Sequence, residues 1–228
     1  SVSEVQLFKR RLSMPATGAL VNLTMDQSSG VLELLLNDPT RFNSLTGEFT
    51  VEIGAAIYWV QTQVKGLHAV VLQGAGPHFC VGQNHYHEPG ANRLPTLAVV
   101  TWQRHDMGRG LARLRNLAHP VFCAVHGFLQ GGAMSTCFNT DYRVSDVDAT
   151  FQHGNLPRGV SPAGGYSITP FFVLYSRAAH AMYLFNDIFE AAQGVAVGFL
   201  DECQSGVESA KLRARALAVA SAGSQAQL

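Results

Sequence analysis

Apolar residues fall along the chain in short strand-like runs, each running into a glycine-bearing or polar turn and then into a stretch with helical spacing. Residues Ser1–Gln27 read as a lead-in with a candidate first strand at Leu20–Met25, and Gly30–Leu36 reads as a strand closed by the turn Asn37-Asp38-Pro39. Thr46 is a candidate N-cap for a helix over Glu48–Val64, where Phe49, Ile53, Ile57 and Val60 recur at helical intervals. Leu67–Leu72 is a β-branched strand that enters the loop Gln73-Gly74-Ala75-Gly76-Pro77. A polar, histidine-rich loop follows, then a second amphipathic helix from about Pro95 to Leu117, with Leu111, Leu114 and Leu117 on one face. Pro120–Val125 is the next buried strand, and after Gly127 the pair Gly131-Gly132 should open a helix through Met134–Phe138. Asp141–Val144 and Ala149–Phe151 are short strand candidates. From Pro162 the pattern is mainly helical, with turns at Asn186–Ile188 and near Gly198, until the small, polar tail Ser221–Leu228.

Strands alternating with helices, each strand feeding a glycine-rich turn, predict an α/β chain built from ββα or βαβ units. At about 150 residues per domain, 228 residues make one large domain or a domain plus an appendage, and no linker is long enough to divide the chain into two domains. A start at Ser1 without Met, and a helical pattern still running near Ala220, point to a piece excised from a longer chain or shortened at its C-terminus.

Charge changes this picture. Only 14% of residues are charged, 16 basic against 16 acidic, where an average globular protein has about 25%. The apolar content excludes a disordered chain, and the absence of a basic excess argues against nucleic-acid binding. So little charge predicts that subunits or neighbouring domains cover part of the surface. The strongest apolar stretches, Ala69–Leu72, Pro120–Val125 and Thr169–Tyr175, fall far short of the ~18 residues of a membrane span. The N-terminus lacks the apolar core of a signal peptide. Cys80, Cys123, Cys137 and Cys203 show no zinc-ligand spacing and read as free thiols in a reducing, cytoplasmic compartment.

Two segments carry the candidate chemistry. Ala69–Gly82 (AVVLQGAGPHFCVG) is a strand, a Gly/Pro turn and a small-residue turn; Pro120–Met134 (PVFCAVHGFLQGGAM) is a strand, a break, then adjacent glycines at a helix start. Glycines at a helix N-terminus expose unpaired backbone N–H groups, and two such turns facing each other can present two donors to one oxygen. The alternative is that Gly-Gly only lets two elements pack closely. Spacing alone leaves the two readings even.

These segments resemble the crotonase (enoyl-CoA hydratase/isomerase) superfamily. NDPTRFNSLT (Asn37–Thr46), VVLQGAGPHFCVGQN (Val70–Asn84), PVFCAVHGFLQGGAM (Pro120–Met134), DYRVSDVDATF (Asp141–Phe151), GVSPAGGYS (Gly159–Ser167) and FNDIFEAAQGVAVGFLDE (Phe185–Glu202) are similar to six family motifs, in family order, over nearly the whole chain. The resemblance implies one crotonase-like domain over residues 1–228: an α/β spiral of repeated ββα units with a helical C-terminal region. It also implies a homotrimer or hexamer, and an acyl-thioester substrate carried on coenzyme A or the phosphopantetheine of an acyl carrier, with no resident cofactor or metal. In the family, chains continue into further C-terminal helices at the trimer interface. The family's oxyanion hole falls on the backbone N–H groups of Gln83 and Gly132, beside Val81 and Gly131. Its two catalytic carboxylates fall on Ser135 and Asn155, and the third glycine of its triplet on Ala133.

Serine and asparagine cannot serve as the acid and base of a two-carboxylate hydration. Other titratable groups are His85, Tyr86, His87 and Glu88 in the loop after the first turn, and His153 near the second lost carboxylate. Imidazole can pass a proton to an enolate, although His85 and His87 fit equally as solvated loop residues and His153 as a structural hydrogen-bonder. A metal at His85 and His87 has only Glu88 as a nearby carboxylate. His126 reads as a structural turn residue, and His78 gives no signal. The reaction that needs least base is decarboxylation, where loss of carbon dioxide itself leaves the enolate. Arg158–Ser167 is similar to a stretch of the family's decarboxylase branch in polyketide β-branching cassettes. Decarboxylation of a 3-methylglutaconyl-type thioester is therefore the leading expectation. Arg158 or a loop histidine would hold the carboxylate, and His85, Tyr86 or His153 would protonate the product. The alternatives are a hydratase, dehydratase or isomerase using histidine for glutamate, and a non-catalytic assembly subunit.

Overall fold

A computed structural model describes residues 20–83, 113–162 and 165–225. The histidine-rich loop and most of the second amphipathic helix lie outside the described residues; Arg113–Arg115 are helical, with Leu114 buried. The strand order follows the apolar runs. Strand β1 (Val21–Asp26) pairs antiparallel with β2 (Val31–Leu36). Helix α1 (Gly47–Gln63) begins as predicted at Thr46, whose hydroxyl accepts the Phe49 N–H at 3.2 Å, and leads to β3 (Ala69–Gly74).

From there the chain repeats one pattern. β4 (Val121–Val125) turns at Gly127 into β5 (Phe128–Gln130) and helix α2 (Gly132–Phe138), and β6 (Tyr142–Asp146) turns into β7 (Thr150–Gln152). The first strand of each pair joins a six-stranded sheet, and the second joins a three-stranded one. Helices α3 (Thr169–Val173) and α4 (Ser176–Phe185) precede β8 (Phe189–Glu190), which closes the small sheet beside β7. Helix α5 (Ala191–Ala196), β9 (Glu202–Gln204) and helix α6 (Val207–Gln225) complete the described chain. The large sheet runs β1-β2-β3-β4-β6-β9, parallel from β2 to β9, so the strands' C-terminal ends share one edge. This is the expected α/β spiral of ββα units.

Strand alternation sorts the core into two faces. Leu32, Leu34, Leu36, Val70, Leu72, Val121, Cys123 and Val125 pack towards the small sheet and the helices. Val31, Ala69, Val71, Phe122, Ala124 and Val144 pack on the other face against Ala210, Ala214, Ala218 and Ala222 of α6. Alanines four residues apart form one stripe, letting α6 lie close on the sheet. Arg215 reaches Asp26 at 3.2 Å and also Glu33, and Arg213 reaches Glu202 at 2.8 Å, tying the helix to both sides of the sheet.

Several elements depart from the sequence expectation, among them β8, which forms directly after the turn expected at Asn186–Ile188. The segment after Gly127 is strand β5 rather than a plain break, β9 forms where only a turn near Gly198 was expected, and α6 continues to Gln225 instead of ending in a tail at Ser221. The helix persists because Ala218 and Ala222 still find sheet to cover. Among the described residues, no helix is long and apolar enough to cross a membrane. Ala214→Leu should overpack this contact and lower stability by about 1–3 kcal/mol in thermal or urea unfolding, whereas Leu212→Ala on the exposed face should change it by less than about 0.5 kcal/mol.

Candidate functional site

The two glycine turns singled out in the sequence meet at the C-terminal edge of β3 and β4. Gly82 is buried at φ +85°, and a Cβ there would overlap the Gln130 carbonyl oxygen and lie 3.6 Å from the Gly132 nitrogen. Only glycine fits this position, both for its left-handed backbone and for the approach of the second turn. Gln83 forms a parallel bridge with Leu45, whose N–H donates to the Gly82 carbonyl at 2.8 Å, and Val81 donates to the Phe42 carbonyl at 3.2 Å. Gly131 caps α2 at φ 55° and donates to the Gln152 and His153 carbonyls, at 3.4 and 3.1 Å. Gln83, Gly131 and Gly132 are half-buried, and neither the Gln83 nor the Gly132 N–H finds an acceptor among the described residues.

The approach is fixed by side chains. Asn43, fully buried at φ 53°, donates through Nδ2 to the carbonyls of Ala75, His78 and Phe79 at 2.8, 2.9 and 3.1 Å. Its Oδ1 accepts the Asp38 N–H at 2.7 Å. His126 Nε2 lies 2.9 Å from the Gly76 carbonyl and donates to it, the Phe79 N–H donates to the His126 carbonyl at 2.9 Å, and the Phe128 N–H donates to His78 Nδ1 at 2.9 Å. The two histidines thus lock the loop after β3 to the segment between β4 and β5. His126 is the turn residue expected; His78 carried no signal, because its role depends on a partner 50 positions away.

Behind the glycine pair lies a buried polar layer. Ser135 is buried in α2, with its carbonyl accepting from Asn139 Nδ2 at 2.8 Å. His153 stacks on Tyr166, centroids 4.3 Å apart and planes 9° from parallel, and meets Tyr183 edge-on at 4.9 Å. Burial pushes the His153 imidazole down to about 4 from 6.5, so the ring is neutral at neutral pH and enters the site as a hydrogen-bonding group or a base rather than a pre-charged acid. Asn155 Oδ1 would lie 3.6 Å from a Cβ at Gly131. Asn186, at φ 54°, orients this layer by accepting the Gly154 N–H at 2.6 Å on its side chain and Gln152 Nε2 at 3.0 Å on its carbonyl. Arg158 is exposed and donates to the Gly154 carbonyl at 2.8 Å. The structure therefore gathers Val81, Gln83, Gly131, Gly132, Ser135, His153 and Asn155 around the glycine contact and leaves Arg158 on its rim. His85, Tyr86, His87 and Glu88 lie outside the described residues. No group of three or more metal-ligating side chains occurs among the described residues.

Residues 26–226 match the family model for enoyl-CoA hydratase/isomerase. The chain belongs to that family. Its relatives include a peroxisomal Δ(3,5)-Δ(2,4)-dienoyl-CoA isomerase of Arabidopsis thaliana, 26% identical over 154 residues, which are 61% of this chain and 53% of the relative. A mevalonyl-coenzyme A hydratase of Aspergillus fumigatus is 28% identical over 192 residues, 84% of this chain and 68% of the relative. An ethylmalonyl-CoA decarboxylase of Xenopus laevis is 24% identical over 198 residues, 86% of this chain and 64% of the relative. The chain thus spans from about half to about two-thirds of these relatives' length. The crystal structure of an enoyl-CoA hydratase from Mycobacterium smegmatis shares the fold at a TM-score of 0.79 and 20% identity, covering 90% of this chain and 77% of that one.

Two outcomes follow from the family member's geometry. Gly82→Ala forces a clash with the Gln130 backbone at positive φ and should cost at least about 2–3 kcal/mol, read as a lower urea midpoint with unchanged m-value. Because His153 titrates lower when folded than when unfolded, the unfolded state binds more protons between those values. The His153 contribution to stability should be level above about pH 6.5, fall as pH drops towards 4, and level again below it. His153→Phe, which keeps a ring for the stack, should flatten that fall in a melting-temperature series, leaving the part contributed by His126 and His119, which burial shifts in the same direction.

Proposed function

We propose that this domain stabilises the enolate of an acyl thioester, carried on coenzyme A or an acyl carrier, through the backbone N–H groups of Gln83 and Gly132. The observation carrying the reading is the Gly82 contact, which holds the backbones of both turns together with two half-buried N–H groups whose acceptors are missing among the described residues. Negative charge developing on a thioester oxygen placed there would be met by donors already oriented, so little reorganisation accompanies the reaction.

The reaction favoured is decarboxylation of a 3-methylglutaconyl-type thioester. The carbon–carbon bond to the carboxylate breaks, its electron pair passes into the dienolate, carbon dioxide leaves, and a proton then quenches the carbanion. This route asks for no strong base, which suits a site with Ser135 and Asn155 where hydratases carry carboxylates and with a neutral His153. The similarity to an ethylmalonyl-CoA decarboxylase points the same way. A second reading, hydration or double-bond isomerisation with His153 as base, is supported by that same neutral imidazole, which can accept a proton at pH 7. Self-association as a trimer or hexamer would cover the apolar surface around α3 and α4, where Phe172, Tyr175 and Phe185 are 78%, 75% and 71% exposed.

The test offers 3-methylglutaconyl-CoA and crotonyl-CoA separately and follows carbon dioxide and hydrated product by mass spectrometry. Carbon dioxide from the first with no hydration of the second is the expected result. Hydration of crotonyl-CoA would replace decarboxylation by the second reading, and no turnover of either would leave a non-catalytic assembly subunit. Light scattering should give a trimer or larger; a clean monomer would remove the assembly claim.

A further inference from the structure

Among the described residues, six buried side-chain oxygen or nitrogen atoms have no hydrogen-bond partner, and four of them fall between residues 153 and 169: His153 Nδ1, Asn155 Oδ1, Tyr166 Oη and Thr169 Oγ1. A buried polar atom without a partner is destabilising, so native structures carry few, and a cluster calls for a cause. Three of these atoms belong to side chains converging from two segments. Tyr166 reaches across from beyond the Leu156–Arg158 turn to stack on His153, and Asn155 Oδ1 faces the space that a side chain at Gly131 would fill. His153, Asn155 and Tyr166 are all at least nine-tenths buried, at 2%, 9% and 2% exposure. His153 and Asn155 therefore sit against the glycine turn, with Tyr166 stacked on His153, and each of the three carries a buried polar atom without a partner among the described residues.

We infer that the Tyr166 hydroxyl, with His153 Nδ1 and the Asn155 side-chain amide, contacts an oxygen-bearing substituent of the acyl chain, a carboxylate or a hydroxyl, held beside Gly131. The inference rests on the acyl-thioester reading above and names the class of acyl group that site selects. The phenol and the imidazole Nδ1–H can each donate a hydrogen bond to such an oxygen, and the unpaired Asn155 Oδ1 accepts one, as from a hydroxyl. A neutral, fully fixed hydrogen-bonding pocket discriminates for an oxygen function and against the bare hydrocarbon, because an alkyl group leaves all three groups unpaired. A purely structural Tyr166 would gain nothing from its hydroxyl, since that atom bonds to no described residue; phenylalanine would serve the stack on His153 equally well. The oxygen atom is the part of the residue that the fold leaves unexplained.

The experiment measures binding of butyryl-CoA, ethylmalonyl-CoA and 3-hydroxybutyryl-CoA to the protein and to Tyr166→Phe, alongside the melting temperature of each. The second and third probes add a carboxylate and a hydroxyl to the first, so the two sources of the oxygen are separated. The expected result is a preference of about tenfold or more for one oxygenated thioester over butyryl-CoA. Tyr166→Phe should lose that preference while binding butyryl-CoA within about twofold of the parent and melting at the same or a higher temperature. Equal binding of all three thioesters, a preference that survives Tyr166→Phe, or a joint fall in melting temperature and butyryl-CoA affinity overturns the inference. Binding of none of the three overturns the acyl-thioester reading itself, and the pocket assignment with it.

Discussion

The close backbone contact between Gly82 and the Gln130–Gly132 segment is the constraint on which the candidate site depends. Two loops after adjacent parallel strands must come within van der Waals distance, and a single methyl group at Gly82 would part them. The sheet alone cannot set this contact. It aligns the ends of β3 and β4, but the loops beyond them are free to diverge. Asn43 holds three carbonyls of the first loop, and His126 and His78 tie that loop to the second by exchanging bonds with its backbone. Each of these side chains pairs backbone groups of the turns, so the geometry is stabilised by ordinary hydrogen-bond requirements.

Among the described residues, the side chains behind the glycine pair carry little charge, and this bears on the chemistry proposed for the site. Ser135, His153, Asn155 and Tyr166 form a layer without an ionised carboxylate, and burial keeps His153 neutral and pushes the Tyr166 hydroxyl well above its ordinary range. A low-polarity surrounding strengthens any hydrogen bond made to a developing oxyanion and disfavours buried ions. Such a site is better suited to reactions that generate their own carbanion than to those that need a strong general base. The low charge of the whole chain, 14%, is thus matched at its centre.

Most of the fold was legible because its signals are local. Apolar runs located β2, β3, β4, β6 and β7, Thr46 marked the start of α1, and the two glycine turns were visible as motifs. What escaped depends on distant partners. Strand β5 is three residues long and exists because β7 lies beside it, and β9 is recruited by the exposed edge of β6. The extension of α6 reflects sheet left to cover, which no residue near Ser221 announces. In the site, Gly82, Gly131 and Gly132 stood out by type, while Tyr166 was not singled out. Its stack on His153 and its unpaired hydroxyl appear only once the two segments are brought together. Arg158 shows the reverse: a cation in a suggestive position by sequence that the 3₁₀ turn Leu156–Arg158 places on the surface.

On the proposed function, two backbone N–H groups polarise a thioester carbonyl between the glycine turns. The carbonyl stretch of butyryl-CoA labelled with carbon-13 at the thioester carbon, recorded by isotope-edited infrared difference spectroscopy, reads that polarisation directly. A clear shift to lower frequency on binding, relative to the free thioester in water, is the expected result, because two fixed donors replace mobile solvent. A bound thioester whose carbonyl frequency equals or exceeds the free value would contradict it.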